Sequence, residues 1–112
     1  MIHQLRIHNK TFELIKSGNK TIEMRLYDEK RKLINVDDII RFTNRVTGEI
    51  IETKVIKLHL FNNFDELYND FDKILLGYEG NEVANPDDMN IYYSKEEQEK
   101  YGVVGIEIKK CK

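Results

Sequence analysis

The chain of 112 residues is predicted to form a mixed α+β fold, a small closed or half-open barrel of about five strands with three or four short helices. Three observations lead there. Short alternating segments rich in Ile, Val and Leu recur at spacings that allow local hairpins. Helical stretches of seven or eight residues, with capping residues before them and glycines after, lie between those segments. No GxGxxG or GxxxxGK[ST] run follows a strand, which speaks against a doubly wound dinucleotide fold.

In order along the chain, HQLRIH (3–8) alternates as a first strand with Leu5 and Ile7 facing the core. Asn9 can cap a helix over 10–17 whose apolar contacts are Phe12, Leu14 and Ile15. Gly18 ends it in the left-handed conformation that only glycine adopts cheaply. The next strand places Ile22, Met24 and Leu26 on one face, against the core, and Thr21, Glu23, Arg25 and Tyr27 on the other, in solvent. Residues 28–38 read as a helical turn and a tight loop. IIRF (39–42), a turn over 43–48 and a long strand over 49–60 form a hairpin. In that long strand Ile50, Ile56, Leu58 and Leu60 share one parity and Ile51 and Val55 the other, which calls for a bulge or for cover on both sides.

Asn62 or Asn63 then caps an amphipathic helix, FDELYNDF, with Phe64, Leu67, Tyr68 and Phe71 at helical spacing. ILLGYEGNEVANPDD reads as a surface connection with little regular structure, and Asp87 or Asp88 begins a short helix through Met89 and Tyr92. Ser94 with Glu97 makes a capping box for KEEQEKY. Gly102 stops that helix, and VVGIEIKK is the last strand with Val104, Ile106 and Ile108 inward.

An apolar fraction of 40% and one proline describe a folded chain, and the length suits one domain over 1–112. No apolar run is long enough for a membrane span, and the opening MIHQLRIHNK has no signal-peptide pattern, so a cytoplasmic location is expected. The single cysteine, Cys111, excludes an internal disulfide. A net charge of −2 argues against a strong non-specific binder of polyanions, yet the charge is uneven. Residues 1–60 carry 12 Lys/Arg against 8 Asp/Glu, and residues 61–112 carry 6 against 12. Local attraction for one phosphate or a short single strand is compatible with this, whereas a long duplex is not.

The densest chemistry lies between Gly18 and Arg25. A glycine-ended helix and a turn make a corner that can hold an anion, with Lys20 as a mobile positive charge. Glu23 and Arg25, two apart on a strand, leave the same face with their roots roughly 6–7 Å apart. A guanidinium there can grip a carboxylate or phosphate while the carboxylate accepts from a base amino group or carries a proton. A surface salt bridge worth about 0–1 kcal/mol is the plain alternative.

The run LIKSGNKTIEMRLYDEKRKLINVDDIIRFTN, with its G-x-K-T-x-E-x-R core and following V-x-D-x-I strand, resembles the ASCH domain, part of the PUA-like barrel superfamily. YYSKEEQEKYGVVGIEIK is similar to the end of bacterial stand-alone members. The resemblance implies a PUA-like barrel with a cleft beside the glycine–lysine corner that binds RNA or a modified nucleoside through Lys20, Thr21, Glu23 and Arg25. One branch removes the acetyl group of N4-acetylcytidine, using a lysine and a glutamate to support a threonine nucleophile. Its lysine matches Lys20 and its arginine Arg25, while Glu23 stands at the nucleophile's position. Its supporting glutamate falls in the region of Asp70, Asp72, Glu79 and Glu82. Other members resemble small metal-free ribonucleases. An enzymatic reading would make Glu23 a general base and Lys20 the stabiliser of an oxyanion.

Outside the corner, Tyr92, Tyr93 and Tyr101 can either stack on a base or cover the barrel mouth, with Tyr93 the choice for ligand binding. Tyr92 and Tyr93, as neighbours in sequence, are expected to point apart. His59 can carry a proton or simply hold a structural hydrogen bond, and Lys30–Arg31–Lys32 reads as a solvated turn. His3 and His8 share no metal-ligand spacing with carboxylates, so neither a metal nor a cofactor is expected.

Overall fold

A computed structural model of the chain describes residues 1–111. Five strands form one curled half-barrel sheet: β1 (Ile2–Ile7), β2 (Ile22–Leu26), β3 (Ile39–Asn44), β4 (Ile50–Phe61) and β5 (Val103–Lys110). Their order across the sheet is β1-β3-β4-β5-β2, with β1 parallel to β3 and every other neighbouring pair antiparallel. Strands β1 and β2 are therefore the two free edges, and the curl turns them into the lips of an open seam. The helix α1 (Asn9–Ser17) crosses from one lip to the other.

That crossover is built locally. Phe12 and Ile15 are buried under α1, and Gly18 ends the helix at φ 88, as its position after the last apolar residue predicts. The helix start differs from expectation. His8 is the N-cap residue and makes no side-chain cap, while Asn9, the expected cap, is the first helical residue and its side-chain amide is used elsewhere. Its carbonyl oxygen accepts from Asn44 Nδ2 at 2.8 Å, while Asn44 Oδ1 accepts from the Val46 amide at 2.9 Å. Asn44, almost fully buried, thus ties α1 to the β3–β4 turn.

The mixed parity of β4 comes from a bulge. Val55 pairs with Ile108 and Lys57 with Glu107, leaving Ile56 without an opposite partner. Val55 before the bulge and Leu58 after it consequently reach the same core, with Phe42, Val104 and Ile106.

Both faces of β2 are covered, and this corrects the assignment of Glu23 and Arg25 to a solvent face. Directly paired residues in an antiparallel ladder share a face. Glu23 opposes Ile106 and Arg25 opposes Val104, both in the cluster inside the curl. Ile22, Met24 and Leu26 face outward into a second cluster with Phe64, Leu67 and Met89. The helix α2 (Phe64–Asp70), capped by Asn63, supplies Phe64 and Leu67. Gly105 on β5 leaves room for the Ile22 side chain between the sheet and α2, since a Cβ there would stand 3.1 Å from Ile22 Cγ2.

The stretch after α2 is more regular than expected. Asp72 caps the short α3 (Lys73–Leu76), and Gly77 ends it at φ 104. Asn85 caps a 3₁₀ turn over Pro86–Ile91, where a helix starting at Asp87 or Asp88 was expected. Leu76 and Met89 account for the order, because both are buried in the second cluster. Ser94 and Glu97 form the anticipated capping box for α4 (Lys95–Tyr101). Among the described residues, no helix is long and apolar enough to cross a membrane.

Candidate functional site

A cleft of about 370 Å³ opens at the seam, between the end of β1 on one lip and β2 on the other. Its floor is made by Lys20, Glu23 and Arg25. Glu23 is only 4% exposed and lies between two cations: Lys20 Nζ is 3.1 Å from one carboxylate oxygen and Arg25 donates to the other at 3.0 Å. Burial pushes the Glu23 carboxyl up, but the charges and hydrogen bonds of Lys20 and Arg25 outweigh that and hold it at about 2. Burial likewise opposes the charge on Arg25, and Glu23 with Tyr93 raises its pKa in spite of it.

Lys20 reaches this position because Gly77 has no side chain. A Cβ at Gly77 would stand 2.9 Å from Lys20 Cδ, so the glycine both adopts the left-handed conformation and leaves the channel for the lysine stem. The backbone around it is pinned: the Lys20 amide donates to Leu14 O at 3.0 Å and the Thr21 amide to Leu75 O at 3.1 Å.

The wall beyond Gly77 is aromatic and acidic. Tyr68 and Tyr78 hydroxyls are 2.8 Å apart, and the Tyr78 hydroxyl donates to Asp88 Oδ2 at 2.7 Å. A carboxylate accepts only, so the direction of the chain is fixed: Tyr68 donates to Tyr78, and Tyr78 donates to Asp88. Neither hydroxyl proton is left for a ligand. Burial, then the hydrogen bonds with Tyr68 and Asp88, push the Tyr78 hydroxyl well above its ordinary pKa. Burial also raises that of Tyr68. This wall offers acceptors to whatever enters.

Tyr93 closes one side, with its ring stacked on Phe64 at 6.2 Å between centroids and 14° between planes. Tyr92 lines the same cleft and is 59% exposed. The two were expected to point apart. The 3₁₀ turn that ends at Ile91 replaces strand alternation with a tighter rotation and lets both face the cleft.

Of the residues singled out from sequence, Lys20, Glu23, Arg25 and Tyr93 come together. Thr21 does not line the cleft; its backbone staples α3 and β5, the latter through Ile108 N to Thr21 O at 2.9 Å. Tyr101 packs on the outer cluster. Asp72 caps α3, Glu82 pairs with Lys10, and neither they nor Asp70 and Glu79 line the cleft. The carboxylate that does join it is Asp88. His59 faces away, hydrogen-bonded to Glu107 at 2.9 Å and edge-on to Phe71. Arg31 and Lys32 are paired within their own turn, to Asp28 and Glu29. Among the described residues, no three His, Cys, Asp or Glu side chains converge as a metal site. Sequence reading missed Gly77, Tyr68, Tyr78 and the rim arginines Arg6 and Arg45. Gly77 carried a signal, the helix-ending position after KILL, while Arg6 and Arg45 became visible only when β1 and β3 were paired, and Tyr68 and Tyr78 only when their segments packed on the sheet.

The ASCH domain family model matches the chain over residues 5–112. Two solved structures share its fold over nearly the full length. The crystal structure of hypothetical protein PH0355 is 32% identical, with a TM-score of 0.83, covering 99% of this chain and 100% of its own. The solution NMR structure of protein PF0455 from Pyrococcus furiosus is 31% identical, with a TM-score of 0.77, covering 100% of this chain and 99% of its own. No curated protein matches the sequence.

Proposed function

The chain belongs to the ASCH domain family, a family of generally RNA-binding kind, and from that premise we propose that the seam cleft binds one nucleoside unit of RNA or a modified nucleoside. The observation that carries the reading is the buried Lys20–Glu23–Arg25 line at the base of a cleft walled by tyrosines. A volume of about 370 Å³ lies within the range of small-molecule sites, which begin at roughly 300 Å³. Each Glu23 oxygen spends one acceptor direction on a cation and keeps another for a base amine or ring N–H. Tyr92 and Tyr93 offer ring faces, and stacking contributes about 1–3 kcal/mol per base.

The same geometry favours binding over hydrolysis. A carboxylate held at about 2 is a weak proton acceptor at neutral pH, so Glu23 is poorly suited to activating water. Its role in this reading is that of a fixed acceptor, with Lys20 and Arg25 as the groups that keep it ionised. Residues 1–112 would act as one binding unit.

Calorimetric titration of short single-stranded RNA and of free nucleosides, including N4-acetylcytidine, tests the proposal. Arg25→Ala should weaken binding about tenfold or more, because a charge-assisted contact is lost, while the protein stays folded on Lys20–Glu23. Equal affinity of both proteins for every ligand that binds would reject it. Chromatography of the same mixtures reads any released cytidine or cleaved RNA and would return the hydrolytic alternative.

A further inference from the structure

The five arginines of the chain divide into two groups. Arg25, Arg31 and Arg41 each pair with a carboxylate, Glu23, Asp28 and Glu52 respectively. Arg6 and Arg45 have no side-chain hydrogen bond or ion pair among the described residues, in a chain that carries 20 Asp and Glu. Both line the seam cleft. They are brought to the same lip by the parallel β1–β3 pairing: Arg6 opposes Thr43, and the Arg45 amide donates to Ile7 O at 2.9 Å just beyond the ladder. Thr11, on the first turns of α1, lines the cleft as well and adds a hydroxyl.

The cleft as a whole is polarised. Lys20, Arg25, Arg6 and Arg45 face Glu23 and Asp88, leaving two positive charges in excess, and the acceptor-only Tyr68–Tyr78–Asp88 wall keeps negative groups away from its own side. An entering anion is directed to the β1 lip. We propose that Arg6 and Arg45 form a phosphate subsite, so that the preferred ligand of this cleft is a nucleotide unit carrying a phosphate on its sugar, with the base over the Lys20–Glu23–Arg25 floor. This deepens the nucleoside-binding reading above and rests on it. A phosphate monoester carries about −1.5 to −2 at pH 7, which matches the excess of two. Two guanidinium groups suit its oxygens through paired N–H donors. The phosphate can belong to a free mononucleotide or to an RNA chain.

Calorimetry at low salt, with the four common ribonucleosides, their 5′- and 3′-monophosphates, and dinucleotides with an internal phosphodiester, separates the possibilities. At least one monophosphate series should bind about tenfold tighter than its nucleoside. That ratio should fall toward one in the Arg6→Ala/Arg45→Ala double variant and shrink as salt is raised. Tighter binding of mononucleotides than of dinucleotides assigns the site to free nucleotides, and the reverse order assigns it to RNA. A ratio near one in the unsubstituted protein, or a ratio that survives loss of both arginines, overturns the subsite while leaving nucleoside binding standing. Absence of binding by nucleosides, nucleotides and dinucleotides alike overturns both. Arg6 and Arg45 are exposed, so the double variant should unfold in urea at the same midpoint as the parent, which removes misfolding as an explanation.

Discussion

Replacing Glu23 by Gln would leave the shape of the cleft floor almost unchanged and remove the charge that holds it together. Glu23 lies in the interior of the curl with Lys20 at 3.1 Å and Arg25 at 3.0 Å, and the side chains of Lys20 and Glu23 are 9% and 5% exposed. The carboxyl is lowered from an ordinary 4.5 to about 2, and each pKa unit corresponds to about 1.4 kcal/mol. The charge therefore stabilises the fold by about 3 kcal/mol at pH 7, in line with the roughly 3–5 kcal/mol lost when a buried pair is broken from one side. Because the folded-state pKa is the lower one, this stability is complete above about 4.5 and is lost as pH falls toward 2. Urea unfolding of both proteins from pH 7 to pH 2.5 reads the effect. The difference should be about 3 kcal/mol at pH 7 and shrink to about 1 kcal/mol at pH 2.5. A difference under 1 kcal/mol at neutral pH, or one that does not change with pH, would refute the claim that Glu23 is an ionised, doubly paired interior group.

Other outcomes can be checked on the same material. Gly77→Ala places a Cβ 2.9 Å from Lys20 Cδ at a left-handed φ, so it should cost about 1–2 kcal/mol and also weaken nucleotide binding, since the lysine must move. Gly48→Ala has the same backbone strain with nothing within 4 Å; urea curves should show a similar loss, while calorimetry should show unchanged binding. Tyr93→Ala removes the ring stacked on Phe64 and the neighbour of Arg25, and should weaken RNA binding by about 1–3 kcal/mol, whereas Tyr93→Phe keeps the ring and should lose far less. Ser94→Ala deletes the α4 capping box and should lower stability by about 1 kcal/mol in a urea titration.

Most elements of the fold were legible in the sequence because their signals are local. Gly18 at the end of an apolar helix, Ser94 with Glu97, Asn63 before Phe64, and the parity change around Ile56 each announced a feature the structure contains. What stayed hidden depends on which strands become neighbours. Alternation in β2 distinguishes two faces but cannot say that both are covered. Glu23 was therefore read as wet, when pairing with Ile106 turns it into the curl. Arg6 and Arg45 lie far apart in sequence, and only the parallel β1–β3 ladder sets them on one lip. Tyr68 read as part of the apolar face of its helix, Tyr78 as surface connection and Asp88 as a helix start; buried Leu76 and Met89 pull their segments against the sheet and assemble the hydroxyl chain. The corner itself was readable because its glycine, lysine, glutamate and arginine are contiguous. Its partner glycine, Gly77, is remote in sequence and is supplied by the end of α3, which packs beside the corner.

Amide chemical-shift mapping of the ¹⁵N-labelled protein, titrated with a short single-stranded RNA, tests the assignment of the ligand site to the seam. Saturable shifts should concentrate at residues 20–25, 76–78 and 88–93 and at the β1 lip around residues 6–8 and 45. Saturable shifts confined to another surface, such as the His59–Glu107 face, with the seam unmoved, would contradict it.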